Sequence, residues 1–172
     1  MDDKVYYYLK DLTGLIIGLY NEEDKIVVNY VYDAWGKHKV YNDLMVNVQS
    51  SEFIGNINLF RYKGYYYDVE TQLFWLSSRY YSAELCRFIR PDDVDYLAPS
   101  SINGLNLYCY CMNNPIMYYD PSGHFVITTA MIWAAKGIGA AIGAGIGLGA
   151  TVVKDLENGK ITRQCNILVI CR

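Results

Sequence analysis

The sequence lacks several motifs that would indicate a common biochemical class. It has no Gly-x-Gly-x-x-Gly between a strand and a helix, no Walker loop and no His-Glu-x-x-His. Nucleotide binding and zinc-peptidase chemistry therefore have no support in the sequence. Only two histidines are present, His38 and His124, and neither stands in a motif with a cysteine or a serine. We expect no metal site and no cofactor.

Clustered positive charge is also missing. Fifteen Lys and Arg residues face eighteen Asp and Glu residues, which gives a net charge of −3, and the basic residues are scattered. A nucleic-acid backbone is bound by a patch of positive charge, so we expect no nucleic-acid partner. The first residues also lack the basic and apolar regions of a signal peptide. In a longer protein, any targeting segment would lie upstream.

The cysteines do not have the spacing of a metal site or a disulfide framework. They are odd in number and lack Cys-x-x-Cys spacing. We interpret them as unpaired thiols in the core or at the surface. They are Cys86, Cys109, Cys111, Cys165 and Cys171.

Tyrosine, in contrast, is abundant, with eighteen among 172 residues. Tyr favours pleated, half-buried surfaces, where its ring packs and its hydroxyl stays near water. Aromatic and β-branched runs alternate with turn residues over 5–36 and again over 56–81. This pattern predicts a mainly β fold of antiparallel strands, including two strands joined by a turn over 68–72 and one more strand over 105–110. Residues 37–51 are less patterned.

The most informative motifs lie between residues 79 and 124. They are Arg79-Tyr80-Tyr81, Arg87-Phe88-Ile89-Arg90-Pro91-Asp92, and a run from Leu105 that ends in Asp120-Pro121-Ser122-Gly123-His124. Together they resemble the RHS repeat-associated core, the closing segment of the tyrosine-aspartate (YD) repeat shells that enclose polymorphic toxins. The resemblance covers residues 53–124, and residues 5–36 resemble about one YD repeat.

This resemblance implies an organisation in three parts. Residues 1–52 would be a YD-repeat-like β segment, 53–124 the core, and 125–172 a variable hydrophobic tail. The fold would be the end of a YD/RHS-type shell, followed by a glycine-rich helical segment. Its partners would be upstream RHS shell repeats and a C-terminal toxin region, and its location secreted or at the cell surface.

In several members of the family the core is also an aspartic-type self-cleaving site. The resemblance implies that Asp92 and Asp120 are the carboxylate pair, that Arg79 supports them, and that the cut falls near His124 and Phe125. Two carboxylates held close together cannot both ionise easily, so one keeps a proton as the acid while the other activates water. A neighbouring arginine would hold one of them as a carboxylate.

Two alternatives stay open for these carboxylates. Asp93 and Asp95 compete with Asp92 because they lie in the same acidic stretch. Asp-Pro-x-Gly is also a good turn sequence whatever its function, since Asp caps the turn, Pro fixes φ and Gly adopts a positive φ. Asp120 therefore has a purely structural interpretation as well.

Residues 125–153 form an apolar run with a single charge, Lys136. The run is long enough to span a membrane. Gly139, Gly143 and Gly147 recur at the four-residue spacing that lets helices approach closely in lipid. A membrane-active or shell-stored segment competes with a buried glycine-rich hairpin. The alternative function is a non-catalytic β module with a membrane-inserting or anchoring tail.

Overall fold

The computed structural model describes residues 4–11, 13–97, 99–100, 103–128 and 130–131, and the backbone of 167–170. Within these residues the protein is mainly antiparallel β, which confirms the predicted fold class. The strands are β1 (Lys4–Lys10), β2 (Ile16–Asn21), β3 (Ile26–Tyr32), β4 (His38–Tyr41), β5 (Tyr66–Asp68), β6 (Leu73–Trp75), β7 (Tyr80–Ser82), β8 (Arg87–Phe88), β9 (Tyr118–Tyr119), β10 (Ile127–Thr128) and β11 (Ile167–Ile170).

The strands form three sheets in which neighbouring strands run antiparallel. The first has five strands in the order β11-β1-β2-β3-β4, the second has four in the order β5-β6-β7-β8, and the third is the β9-β10 pair. Within residues 4–128 as the structure describes them, helical structure is limited to short turns. These are α1 (Ile54–Ile57) and 3-10 turns at Tyr62–Gly64, Val94–Tyr96 and Cys111–Asn113.

One type of turn follows each of the first four strands. In each turn a side-chain oxygen accepts hydrogen bonds of 2.8–3.1 Å from the backbone N–H groups two and four residues later. The fourth residue of each turn has a positive φ. Asp and Asn make this turn readily because their short side chains reach their own backbone. The accepting residues are Asp11, Asn21, Asp33 and Asn42.

Two aromatic clusters form the core. The cluster against the five-stranded sheet contains Tyr8, Ile16, Leu19, Val28, Tyr30 and Val40. The other lies against the four-stranded sheet and contains Tyr62, Tyr65, Phe74, Leu76, Tyr81, Phe88, Tyr110 and Cys111. Buried tyrosine hydroxyls require partners. The Tyr8 hydroxyl, for example, donates to Asn58 Oδ1 at 2.9 Å, and the Tyr81 hydroxyl donates to the Trp35 carbonyl at 2.7 Å.

The strand predicted over 105–110 is wrong. Instead, this segment folds into turns, in which the Asn106 side chain accepts from the Tyr108 N–H at 3.1 Å and the Cys109 N–H donates to the Asn106 carbonyl at 3.0 Å. Within this segment only Cys109 forms a β-bridge, an isolated antiparallel one with Arg87. Local Asn hydrogen bonds therefore outweigh the strand propensity of the neighbouring aromatic residues. The three cysteines within the described residues, Cys86, Cys109 and Cys111, are free thiols.

The tail interpretation falls outside the described residues, because only the backbone of 167–170 is described beyond residue 131. A search of the described residues finds no helix with the length and apolar character that crossing a membrane requires.

Candidate functional site

Asp120 lies at the start of the loop that joins β9 to β10. Its Oδ1 accepts hydrogen bonds from the backbone N–H groups of Ser122 at 3.1 Å and Gly123 at 2.7 Å, so the Asp-Pro-Ser-Gly segment is indeed a capped turn. The Tyr65 hydroxyl donates to the Asp120 carbonyl at 2.7 Å. Unlike the hairpin turns, this turn is buried, and the Asp120 side chain is only 2% exposed.

The turn is held from two directions. Gly123 has a φ of +83°, and a Cβ at this position would lie 2.9 Å from the Leu76 carbonyl oxygen, so the residue must be small. On the other side, the buried Lys63 ammonium donates to the carbonyls of Pro115 at 2.6 Å and Tyr118 at 2.8 Å. These contacts fix the strand that leads into Asp120.

Arg79 precedes β7 and its guanidinium is buried, with 6% exposure. It donates to the Gly123 carbonyl through Nε and to the Leu107 carbonyl through Nη1 at 2.9 Å. Its third partner is the Asp92 carboxylate, at 2.8 Å between Nη2 and Oδ2. The group also stacks on the Phe88 ring at 3.7 Å. Arg79 therefore ties the Asp120 turn to the segment that carries Asp92.

Asp92 is the carboxylate that faces this arginine. Its side chain is 7% exposed, and its Oδ1 accepts from the Asp93 N–H at 2.9 Å and contacts His124 Nδ1 at 2.7 Å. Asp93 instead caps the following 3-10 turn, where it accepts from the Asp95 N–H at 3.1 Å, and both residues are exposed. The geometry therefore selects Asp92 over its two acidic neighbours.

The three predicted residues Arg79, Asp92 and Asp120 line one cavity of about 340 Å³. His124 and Phe125 belong to the same wall, and the His124 ring stacks on Tyr96 with 5.1 Å between ring centres. Sequence reasoning missed Tyr65, Lys63 and Tyr96 as supports of this site. No motif signals these supports, because each reaches the site through a contact with a residue far away in the chain.

The electrostatics of the two carboxyl groups differ. Burial raises the pKa of Asp120 above its usual range, and the nearby Asp92 charge adds to that increase. The two backbone N–H donors and Arg79 act in the opposite direction, without cancelling it. Asp92 forms an ion pair with Arg79, at 2.8 Å between Nη2 and Oδ2. The arrangement can therefore hold one carboxylate beside one carboxyl group that keeps its proton more readily than usual.

The site has no grouping that suits a metal. Within the described residues, no three His, Cys, Asp or Glu side chains come close enough to hold an ion.

Comparison with known proteins finds long relatives. No protein-family model matches the chain. The tRNA nuclease WapA of Bacillus subtilis (strain 168) is 36% identical over 123 residues, which cover 72% of this chain and 5% of that protein. The chain therefore spans about a twentieth of the length of this relative.

A similar share of the chain resembles solved toxin structures. A chain of the Tc holotoxin pore of Photorhabdus luminescens matches with a TM-score of 0.56 and 24% identity, over 70% of this chain and 5% of that chain. A chain of TcdB2-TccC3 without its hypervariable C-terminal region matches with a TM-score of 0.54 and 26% identity, over the same shares. These likenesses show a shared fold and support the resemblance to RHS proteins.

Proposed function

We propose that this chain is the shell-closing core of an RHS/YD-repeat toxin-delivery protein, and that it cuts itself once near the His124–Phe125 bond. The observation that carries the proposal is the convergence of Arg79, Asp92 and Asp120 in one cavity whose wall includes His124 and Phe125.

The two carboxyl groups divide the chemistry. Asp92, paired with Arg79, acts as the base and takes a proton from a water molecule as the water oxygen attacks the His124 carbonyl carbon. Asp120, whose pKa is raised by burial, donates its proton to the carbonyl oxygen. As the tetrahedral intermediate collapses and the C–N bond breaks, Asp92 passes the proton that it took from water to the Phe125 nitrogen, and Asp120 takes back a proton from a hydroxyl of the intermediate. The products are a carboxylate at His124 and an amine at Phe125.

The fold bears on what a cut would release. The proposed cut lies in the β9-β10 loop, and the strand beyond it pairs with β9 over only two residue pairs, Ile127 with Tyr119 and Thr128 with Tyr118. So short a ladder holds a cut segment weakly. Farther downstream, β11 pairs with β1 over four residue pairs. Cleavage would therefore loosen the segment at β10, and full release of the tail would also require β11 to leave β1.

The wider roles rest on the relatives. One matched solved structure is that of TcdB2-TccC3 without its hypervariable C-terminal region, which supports a variable segment downstream of a core of this kind. We therefore assign upstream shell repeats and a C-terminal toxin region as partners, and a secreted or cell-surface location. The nuclease activity named for WapA is not carried over, because the match covers 5% of that protein.

The test is the intact mass of the purified 172-residue chain beside Asp120→Asn, Asp92→Asn and Asp33→Asn. Asp33 is the control, since its Oδ1 also accepts hydrogen bonds from two backbone N–H groups, but at an exposed turn. We expect two fragments that separate near residue 124 in the parent and in Asp33→Asn, and an intact chain in the other two variants.

A cut that survives both Asp92→Asn and Asp120→Asn would refute the aspartic mechanism. An intact parent that binds lipid vesicles, and loses this binding when residues 125–153 are deleted, would favour the non-catalytic β module with a membrane-inserting tail.

A further inference from the structure

A second buried arginine lies away from the carboxylate site. Arg61 begins the turn that leads into β5 and is 4% exposed. Its Nε donates to the Asn58 carbonyl at 3.1 Å and its Nη2 to the Asn56 carbonyl at 3.0 Å, while Nη1 contacts His38 Nε2. The guanidinium also stacks on the Tyr67 ring at 4.5 Å. Every one of these partners is a neutral group.

No carboxylate compensates this charge within the part of the chain that the structure describes. Arg61 has no ion pair there, and the groups that raise its pKa are tyrosine hydroxyls, while burial lowers it. The three contacts use three of the five N–H groups of a guanidinium, which leaves one on each terminal nitrogen. A buried charge is stable only when it is paired or fully hydrogen-bonded.

Arg61 lines a cavity of about 570 Å³, which is within the size range of ligand cavities. The exposed Lys39 is also among the lining residues, and no Asp or Glu of the described residues is. The remaining polar lining residues include Asn47, Gln49, Ser51 and Gln72.

His38 also lines this cavity, in its neutral form. Burial and the adjacent Arg61 lower its pKa from the ordinary 6.5 to about 4. At neutral pH its Nε2 is therefore an acceptor that faces the guanidinium. An anion bound beside Arg61 would offset the positive field that His38 now feels.

We propose that this cavity binds an oxyanion, a phosphate or a carboxylate, on the guanidinium of Arg61 with Lys39 as the second cation. Guanidinium groups bind planar or tetrahedral oxyanions through paired N–H donors, and the amide and hydroxyl side chains supply further donors. The group is either a free anion or the side chain of an acidic residue in adjoining polypeptide. This site shares no residue with the proposed cleavage site.

The experiment titrates the full-length chain at pH 7 with inorganic phosphate and, separately, with N-acetyl-glutamate methylamide. The first probe represents a free anion and the second an acidic side chain. Binding is followed by NMR through the His38 ring, with His124, the other histidine of the chain, as an internal reference. We expect saturable shifts of His38 with one or both probes, and a His38 pKa that rises when the ligand is bound.

The test uses substitutions at exposed positions, because these should leave the fold intact. Lys39→Gln should weaken binding about threefold, and Gln72→Glu, which places a negative charge in the wall, at least tenfold. The control Lys25→Gln removes an exposed lysine that pairs with Glu23 outside the cavity, and should leave affinity unchanged. Absence of saturable shifts with both probes, or equal affinity in Gln72→Glu and the parent, would overturn the proposal.

Discussion

Two arginines are buried in the part of the chain that the structure describes, and their charges are accommodated differently. Arg79 is 6% exposed and pairs with a buried carboxylate, whereas Arg61 is 4% exposed and contacts only neutral groups. Both brace a turn through backbone carbonyls. Only Arg79 thereby brings a carboxylate to its turn, and this difference underlies the acid–base role that we propose for one centre and the anion binding that we propose for the other.

The largest loss of stability is expected when the charge partner of Arg79 is removed. Asp92→Asn keeps the shape of the side chain but leaves the buried guanidinium without its counter-ion. Loss of one member of a buried pair destabilises proteins by about 3 kcal/mol or more, and we expect a loss of that order in urea unfolding when the change is made in the Asp120→Asn chain, which should stay uncut. Asp93→Asn, at the exposed neighbour and in the same Asp120→Asn chain, should change the free energy of unfolding by less than about 0.5 kcal/mol. Equal losses in the two variants would contradict the assigned roles.

Removal of the arginines themselves should give unequal effects. Arg61→Met frees the carbonyls of Asn56 and Asn58, at about 1 kcal/mol each, so we expect about 2 kcal/mol. Arg79→Met frees the Leu107 and Gly123 carbonyls and also leaves Asp92 buried and unpaired, so its loss should exceed about 3 kcal/mol. The measurement is again urea unfolding. A larger loss in Arg61→Met than in Arg79→Met would mean that Arg61 has a counter-charge.

The surroundings of Arg61 can also be tested through the pH dependence of stability that His38 contributes. Its pKa is about 4 in the folded chain against about 6.5 in the unfolded chain, so the unfolded state takes up the proton first as the pH falls. This contribution to stability is complete above pH 6.5 and is lost between pH 6.5 and 4. Because the ring is partly exposed, we expect a loss of between about 1 and 2 kcal/mol.

The check on this prediction is a difference curve. The free energy of unfolding of the parent minus that of His38→Gln should fall over this pH window, because acidic groups that titrate in both chains cancel. A flat difference between pH 6.5 and 4 would show that burial and Arg61 together do not lower the His38 pKa in the folded chain.

The sequence predicts the strands of this protein well where residues repeat with turn chemistry. The aromatic and β-branched runs that alternate with turn residues over 5–36 predict strands, and the structure shows capped turns at Asn21 and Asp33 between them, because the short side chains of Asp and Asn dictate local geometry. The segment 105–110 was mispredicted for the same reason, since Asn106 caps a turn within a run that otherwise favours a strand.

The candidate site is harder to predict from the sequence than the strands are. The motifs name Arg79, Asp92 and Asp120, and the structure brings them to one cavity, but their catalytic role stays a prediction. Neither the burial of Lys63 beneath the loop nor the absence of a carboxylate near Arg61 has a local signature. Both depend on contacts between residues far apart in the chain, such as Lys63 with Pro115, which no short pattern encodes.

The smallest expected effect concerns two glycines, Gly64 in the turn that Arg61 begins and Gly123 in the turn that Arg79 braces. Gly64 has a φ of +78° with open space where a Cβ would lie, whereas Gly123 has a φ of +83° with the Ser78 hydroxyl and the Leu76 carbonyl in that space. Gly64→Ala should therefore cost about 1 kcal/mol for backbone strain alone. Gly123→Ala should cost about 1 kcal/mol more, because the Leu76 oxygen is backbone and cannot easily move. If the two variants lose the same stability in urea unfolding, the loop beside Arg79 is free to relax, and the carboxylates are held less rigidly than the proposed cleavage requires.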